Sequence, residues 1–142
     1  MKKYFYRLGY AYTNPENNEN YLLIGYFSTI QTVQQAIQKV KDKVGFVDSG
    51  GDFKVDKFSV NFDYEIKSKQ EAKLFELSHE YTDDDGYDNW IIFDVFSSYD
   101  EAKKAELEEI KKSPYNKNPE GFCISECKID VCGWSEGFVL WC

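Results

Sequence analysis

The side chains best suited to covalent or soft-metal chemistry are few: one histidine, His79, and four cysteines, Cys123, Cys127, Cys132 and Cys142, all within the last 20 residues. A thiol activated by an imidazole requires the two within hydrogen-bond reach. His79 falls in a predicted strand, remote in sequence from Cys123 and Cys127, so a structural role is expected for it. The spacing C-x3-C-x4-C-x9-C holds no C-x-x-C knuckle, and one histidine adds little, so a zinc site is not expected. The chain also lacks G-x-S-x-G, a phosphate-cradling glycine loop and H-E-x-x-H. We therefore expect no enzyme, metal or cofactor. The thiols are expected to be reduced, because a secreted disulfide framework would staple both halves of the chain.

Carboxylates offer a different chemistry. The run Asp83-Asp84-Asp85-Gly86-Tyr87-Asp88 invites comparison with a calcium loop, but aligning its glycine puts Tyr81 at the first ligand position and Ile92 at the last. A solvated hairpin loop fits better, and its charge is what remains to be explained. Residues 1–69 carry ten Lys/Arg against eight Asp/Glu, whereas residues 70–142 carry seven against seventeen. From Glu76 to Glu101 there are nine carboxylates and no Lys or Arg. Such a field repels nucleic acid and attracts basic proteins. Near the C-terminus, Trp134-Ser135-Glu136-Gly137-Phe138 with Trp141 allows two readings: tryptophans sealing a core beneath the tail, or an exposed Trp beside Glu136 anchoring an interface. The candidate partner-binding residues are thus Asp83, Asp84, Asp85, Asp88, Tyr87, Trp134 and Glu136.

These residues are set in a chain that is written twice. A shift of 69 residues superimposes Leu8, Tyr12, Thr13, Asn20, Phe27, Ser28 and Phe53 on Leu77, Tyr81, Thr82, Asn89, Phe96, Ser97 and Phe122 without a gap. Apolar class is kept at Tyr21/Trp90, Leu22/Ile91, Ile24/Phe93 and Val55/Ile124, the pattern expected where a buried face is retained. In the first copy, strands are predicted over 4–12, 21–27 and 53–62. A helix over 30–44 is predicted between the last two, opened by a capping box at Ser28-Thr29-Ile30-Gln31 and closed at Gly45. The second copy repeats the order, with strands over 74–81, 90–96 and 122–129 and a helix over 98–112 that begins at the box Ser98-Tyr99-Asp100-Glu101 and stops before Pro114. In the third strand of each copy the apolar phase slips by one residue, which predicts a bulge near Asp56-Lys57 and Ser125-Glu126.

The expected fold class is α+β: two tandem β-β-α-β repeats, residues 1–69 and 70–142, forming one pseudo-twofold globule with mostly antiparallel sheet and one helix per repeat. The repeats either join edge to edge in a six-stranded sheet or pack face to face.

The second repeat resembles a family of small uncharacterised bacterial domains with the pattern H-x-Y, F-S-S-x-x-E-A, G-F-x-I and W-x-E-G-F. It carries these as His79-Glu80-Tyr81, Phe96 to Ala102, Gly121 to Ile124 and Trp134 to Phe138. The first repeat keeps Phe27-Ser28-Thr29 but has Tyr10 for the histidine and lacks the W-x-E-G-F ending. The resemblance implies an αβ repeat and no particular activity.

Met1 to Tyr6 begins like a signal peptide, but Arg7 and the polar run 13–20 leave no adequate apolar stretch, and no run reaches membrane-spanning length. A cytoplasmic protein acting on neither membrane nor nucleic acid is expected. The combination leads to a non-catalytic protein-binding inhibitor, an immunity protein neutralising a basic, nuclease-like bacterial toxin. The alternative is a small-molecule sensing or regulatory domain with its ligand between the repeats, near His79, Trp90 and Trp134.

Overall fold

The computed structural model describes residues 1–138. Trp141 and Cys142, named above as a possible core seal and a reduced thiol, lie outside the described residues. Strands β1 (Lys2–Thr13) and β2 (Glu19–Phe27) form a hairpin, followed by helices α1 (Ile30–Val40) and α2 (Phe46–Ser49) and strand β3 (Asp52–Asn61). A linker with a 3₁₀ turn at Lys69–Glu71 leads to the hairpin β4 (Leu74–Thr82) and β5 (Asp88–Phe96), helix α3 (Tyr99–Glu109) and strand β6 (Phe122–Cys127). The class is α+β, with two three-stranded antiparallel sheets in the orders β2-β1-β3 and β5-β4-β6. No helix among the described residues is long and apolar enough to cross a membrane.

The sheets share no ladder; they pack face to face. Side chains alternate across a strand, so β1 sends Phe5 one way and Leu8 and Tyr10 the other. Phe5 joins Tyr26, Phe58 and Val60 of the first sheet, Leu74, Val95 and Cys127 of the second, and Phe62, Ala72 and Ile129 from the connecting segments in a core between the sheets. Leu8 and Tyr10 meet Val33, Ala36 and Val40 of α1 and Phe46 of α2 in a second core on the outer face. Helix α3 lies against β4, β5 and β6, with Ala102 fully buried. The layers therefore run helix, sheet, sheet, helix. Each fully buried apolar side chain contributes about 1.5–3 kcal/mol relative to exposure, so both faces of each sheet are used.

That two-sided burial corrects the bulge prediction. The β1–β3 register is continuous from Lys2↔Asn61 to Ala11↔Asp52. Phe53 faces the α1 side and Phe58 and Val60 face the other sheet, so the apparent phase slip is a strand changing which face carries its apolar residues. The register shifts fall instead in the hairpins, between Leu8/Gly9 and between Leu77/Ser78, leaving Ile24 and Phe93 as the extra residues.

The expectation of one helix in the first half also needs correction. Helix α1 stops at Val40, and α2 follows after Gly45, whose φ of 89° suits glycine. A segment distant in sequence packs on this turn: the Phe138 N–H donates to the Val44 carbonyl at 2.8 Å, and a Cβ on residue 45 would clash with the Phe138 oxygen. The cap of α1 is Thr29, paired with Thr32, rather than Ser28. Ser28 accompanies its own N–H in binding Asp130, at 2.6 and 2.8 Å. In α3 the capping side chain is Ser98, as its sequence indicates.

Candidate functional site

The β4–β5 turn is built around Asp83. Its Oδ1 accepts the N–H groups of Asp85 and Tyr87, both at 3.0 Å, and its Oδ2 accepts from the Asn89 amide at 3.1 Å. The Tyr87 N–H and the Asn89 amide hold the Asp83 carboxyl below the usual carboxylate range. Asn14, 69 residues earlier, makes the same turn, accepting from the N–H groups of Glu16 and Asn18 at 3.0 and 2.9 Å. Asn17 and Gly86 both take the left-handed conformation. Asp83 is thus committed to turn geometry. Asp88 accepts from the Thr82 hydroxyl at 2.7 Å, while Asp84 and Asp85 form no side-chain hydrogen bond or ion pair among the described residues. Tyr87 stands at the tip with 66% of its surface exposed.

The apolar surface continues from that tip along β5. Trp90 and Ile91 are 41% and 45% exposed. Trp90 points toward the first sheet, where its ring stacks with Tyr21 at 6.2 Å. A hollow of about 270 Å³ opens beside it, lined by Arg7, Tyr21, Asp56, Trp90, Ile91 and Ile92. Ile91 is paired with His79 and points to the opposite face, where a hollow of about 300 Å³ is lined by His79, Tyr81, Tyr115 and Pro114 among others.

His79 is 1% exposed. Its Nε2 lies 2.8 Å from the Asn118 carbonyl, to which it donates, and its ring meets Phe122 and Tyr115 edge-on at 4.5 and 4.9 Å. The buried Nδ1 has no partner. Cys123 and Cys127 pair with Ser78 and Leu74, which share the face of β4 opposite to His79. Histidine and thiols are therefore separated by the sheet. Cys123, Cys127 and Cys132 are free, and among the described residues no group of three His, Cys, Asp or Glu side chains converges as metal ligands do.

Between the sheets lies a polar cluster that sequence reasoning missed. Glu76, counted above in the acidic field, is buried and accepts a hydrogen bond from the Tyr26 hydroxyl. Burial and then the Glu76 carboxylate push the Tyr26 hydroxyl well above the usual tyrosine range. The same two causes, burial first, push the Cys127 thiol up to about 12. Arg7 sits 3.5 Å from Asp56. Burial works against its charge, but Tyr26, Tyr21 and Asp56 outweigh that and hold its pKa above the usual value. Arg7 and Glu76 stand 69 residues apart, at matching positions on the inward face, and their opposite charges were the available signal.

Trp134 and Glu136 are held by other elements. After β6 the chain crosses to the first sheet: Ile129 bridges Tyr26 in parallel, and the Asp130 and Gly133 N–H groups donate to the Tyr26 and Ile24 carbonyls, each at 2.8 Å. Trp134 donates its indole N–H to the Leu23 carbonyl at 2.9 Å and stays 43% exposed, with Glu136 exposed beside it. Phe138 completes the outer core of the first half. The candidate residues thus form two groups, Asp83 to Asp88 on the β4–β5 hairpin and Trp134 with Glu136 on the β2 side.

Comparison of the chain with protein-family models, with curated proteins and with solved structures returned no match.

Proposed function

We propose that this chain is a non-catalytic, cytoplasmic immunity protein that binds and neutralises a basic, nuclease-like bacterial toxin. We also propose that its two halves, 1–69 and 70–142, are tandem repeats about a pseudo-twofold axis, of which the second became the acidic binding half. The observation that carries this reading is the β4–β5 hairpin: Asp84, Asp85 and Asp88 are presented without a neighbouring base, beside exposed Tyr87, Trp90 and Ile91. Unpaired carboxylates steer a cationic partner, and exposed aromatic side chains supply the contact area that retains it.

The test is purification from the native host with mass spectrometry of what is retained, followed by association kinetics with that partner. Replacing Asp84, Asp85 and Asp88 with Asn is expected to slow association and flatten its salt dependence. An unchanged on-rate and salt slope would remove the hairpin from the mechanism and leave Trp134 and Glu136 as the candidates.

A second reading, a small-molecule sensing domain, draws support from the hollow of about 270 Å³ between the sheets, where the buried Arg7 Nε has no partner. An anionic ligand seated there would protect Arg7 and Tyr21 rather than the hairpin.

A further inference from the structure

Each sheet ends in a hairpin strand on one side, and the two edges are treated differently. The edge of β2 is covered by the chain itself, through residues 129–133. Gly25 permits this: a Cβ there would lie 2.6 Å from the Val131 carbonyl. The edge of β5, 69 residues on, has no strand or strap against it among the described residues, and Asp94 occupies the position of Gly25. The edge is open from Asp88 to Asp94, beyond which the Val95 N–H is taken by the Asp94 carboxylate at 2.8 Å, and this open stretch with exposed Trp90 and Ile91 is a ready template for another strand.

Two occupants can be weighed on charge. An antiparallel pair of β5 edges centred on Ile91 would set Asp88 of one copy against Asp94 of the other, a like-charge opposition that disfavours self-pairing. A strand with basic residues would instead meet Asp88 and Asp94, six residues or about 20 Å apart along the strand. Between them Trp90 offers an apolar contact on one face of the sheet and Ile91 on the other.

We propose that the β5 edge binds an extended, basic segment of the partner by strand addition, in the way that residues 129–133 cover β2. This rests on the reading of the chain as an inhibitor of a basic protein and specifies how the contact is made. Backbone hydrogen bonds supply affinity, Trp90 and Ile91 set the position, and Asp88 and Asp94 select for positive charge.

Three nine-residue peptides test it with the full chain: one alternating Lys and Val, one with the same composition in separate Lys and Val blocks, and one alternating Lys and Pro, whose prolines cannot donate to a ladder. The alternating Lys/Val peptide is expected to bind at least about tenfold more tightly than either control, each hydrogen bond contributing modestly. It should slow amide exchange over residues 88–94. Ile91→Lys should weaken it by about tenfold without changing the melting temperature. Equal binding of all three peptides with steep salt dependence would overturn strand addition while leaving the acidic attraction intact. Absence of binding or protection elsewhere would overturn the edge assignment, and an equilibrium dimer abolished by Ile91→Lys would overturn the partner segment as its occupant. The wider reading fails separately, through the on-rate of the Asn-substituted hairpin.

Discussion

The β1–β2 and β4–β5 hairpins share a turn geometry, a bulge position and a place as the first two strands of their sheets, yet they end in different chemistry. Asn14 closes one turn and Asp83 the other, with the same backbone N–H groups accepted. Gly25 admits a covering segment where Asp94 stands in the other sheet. Arg7 and Glu76 face inward from matching strand positions with opposite charge. The backbone plan tolerates all of these exchanges, so the contrast locates what each half is used for: the first is completed by its own chain, the second leaves charge and edge exposed.

The sharpest way to break this contrast is to remove what completes the first half. Phe138→Ala deletes a ring in contact with Tyr10, Tyr12 and Phe46. It is expected to cost about 3–5 kcal/mol in denaturant unfolding, the range for buried Phe truncations. A loss below 1 kcal/mol would show that the outer core closes without the tail. Gly25→Asp, which copies the second half into the first, is expected to cost about 1–3 kcal/mol by overpacking against Val131 and to speed amide exchange at Asp130 and Gly133. Unchanged exchange there would mean that the edge cover does not depend on glycine.

Alkaline pH probes the core between the sheets. Tyr26 and Cys127 have folded-state pKa values raised above their unfolded ones. Their contribution is fully present below the unfolded values, near 9 for the thiol, and is lost as pH rises from there toward about 12. Stability should therefore fall progressively above pH 9, and Cys127→Val should remove the earliest part of the decline. A stability that is flat from pH 8 to 11 would contradict burial of these groups. The smallest effect is expected at the turn: Asp83→Asn, which imports the Asn14 solution, should leave the unfolding midpoint unchanged. Asp83→Ala should lower the midpoint measurably, by analogy with a lost cap. Equal losses for the two would show that charge, not acceptor geometry, holds the turn.

The sequence disclosed the order of elements because hairpin loops, capping residues and apolar spacing are local signals. Tyr4 to Tyr12 reads as a strand and Ser98 as a cap from their immediate neighbours. What it concealed is non-local. Phe53 and Phe58 look like one slipped stripe until the second sheet supplies a reason for burying the other face. Glu76 looks like one more surface carboxylate because its partner, Tyr26, is 50 residues away. The turn at Gly45 that follows α1 packs against Phe138, which is distant in sequence. In the site, the exposure of Tyr87 and the acidic loop followed from composition, whereas the bare β5 edge became visible only beside its covered counterpart.

The crossing segment also bears on synthesis. The Trp134–Leu23 hydrogen bond spans 111 residues and the Ser28–Asp130 contact 102. A ribosome adding about 5–20 residues per second takes on the order of 4–15 s to move from Phe62 to Phe138. Throughout that interval Tyr10 and Phe46 lack their final ring. A chaperone that holds nascent apolar surface therefore has a defined window on this chain, opening when β3 emerges and closing when the tail docks.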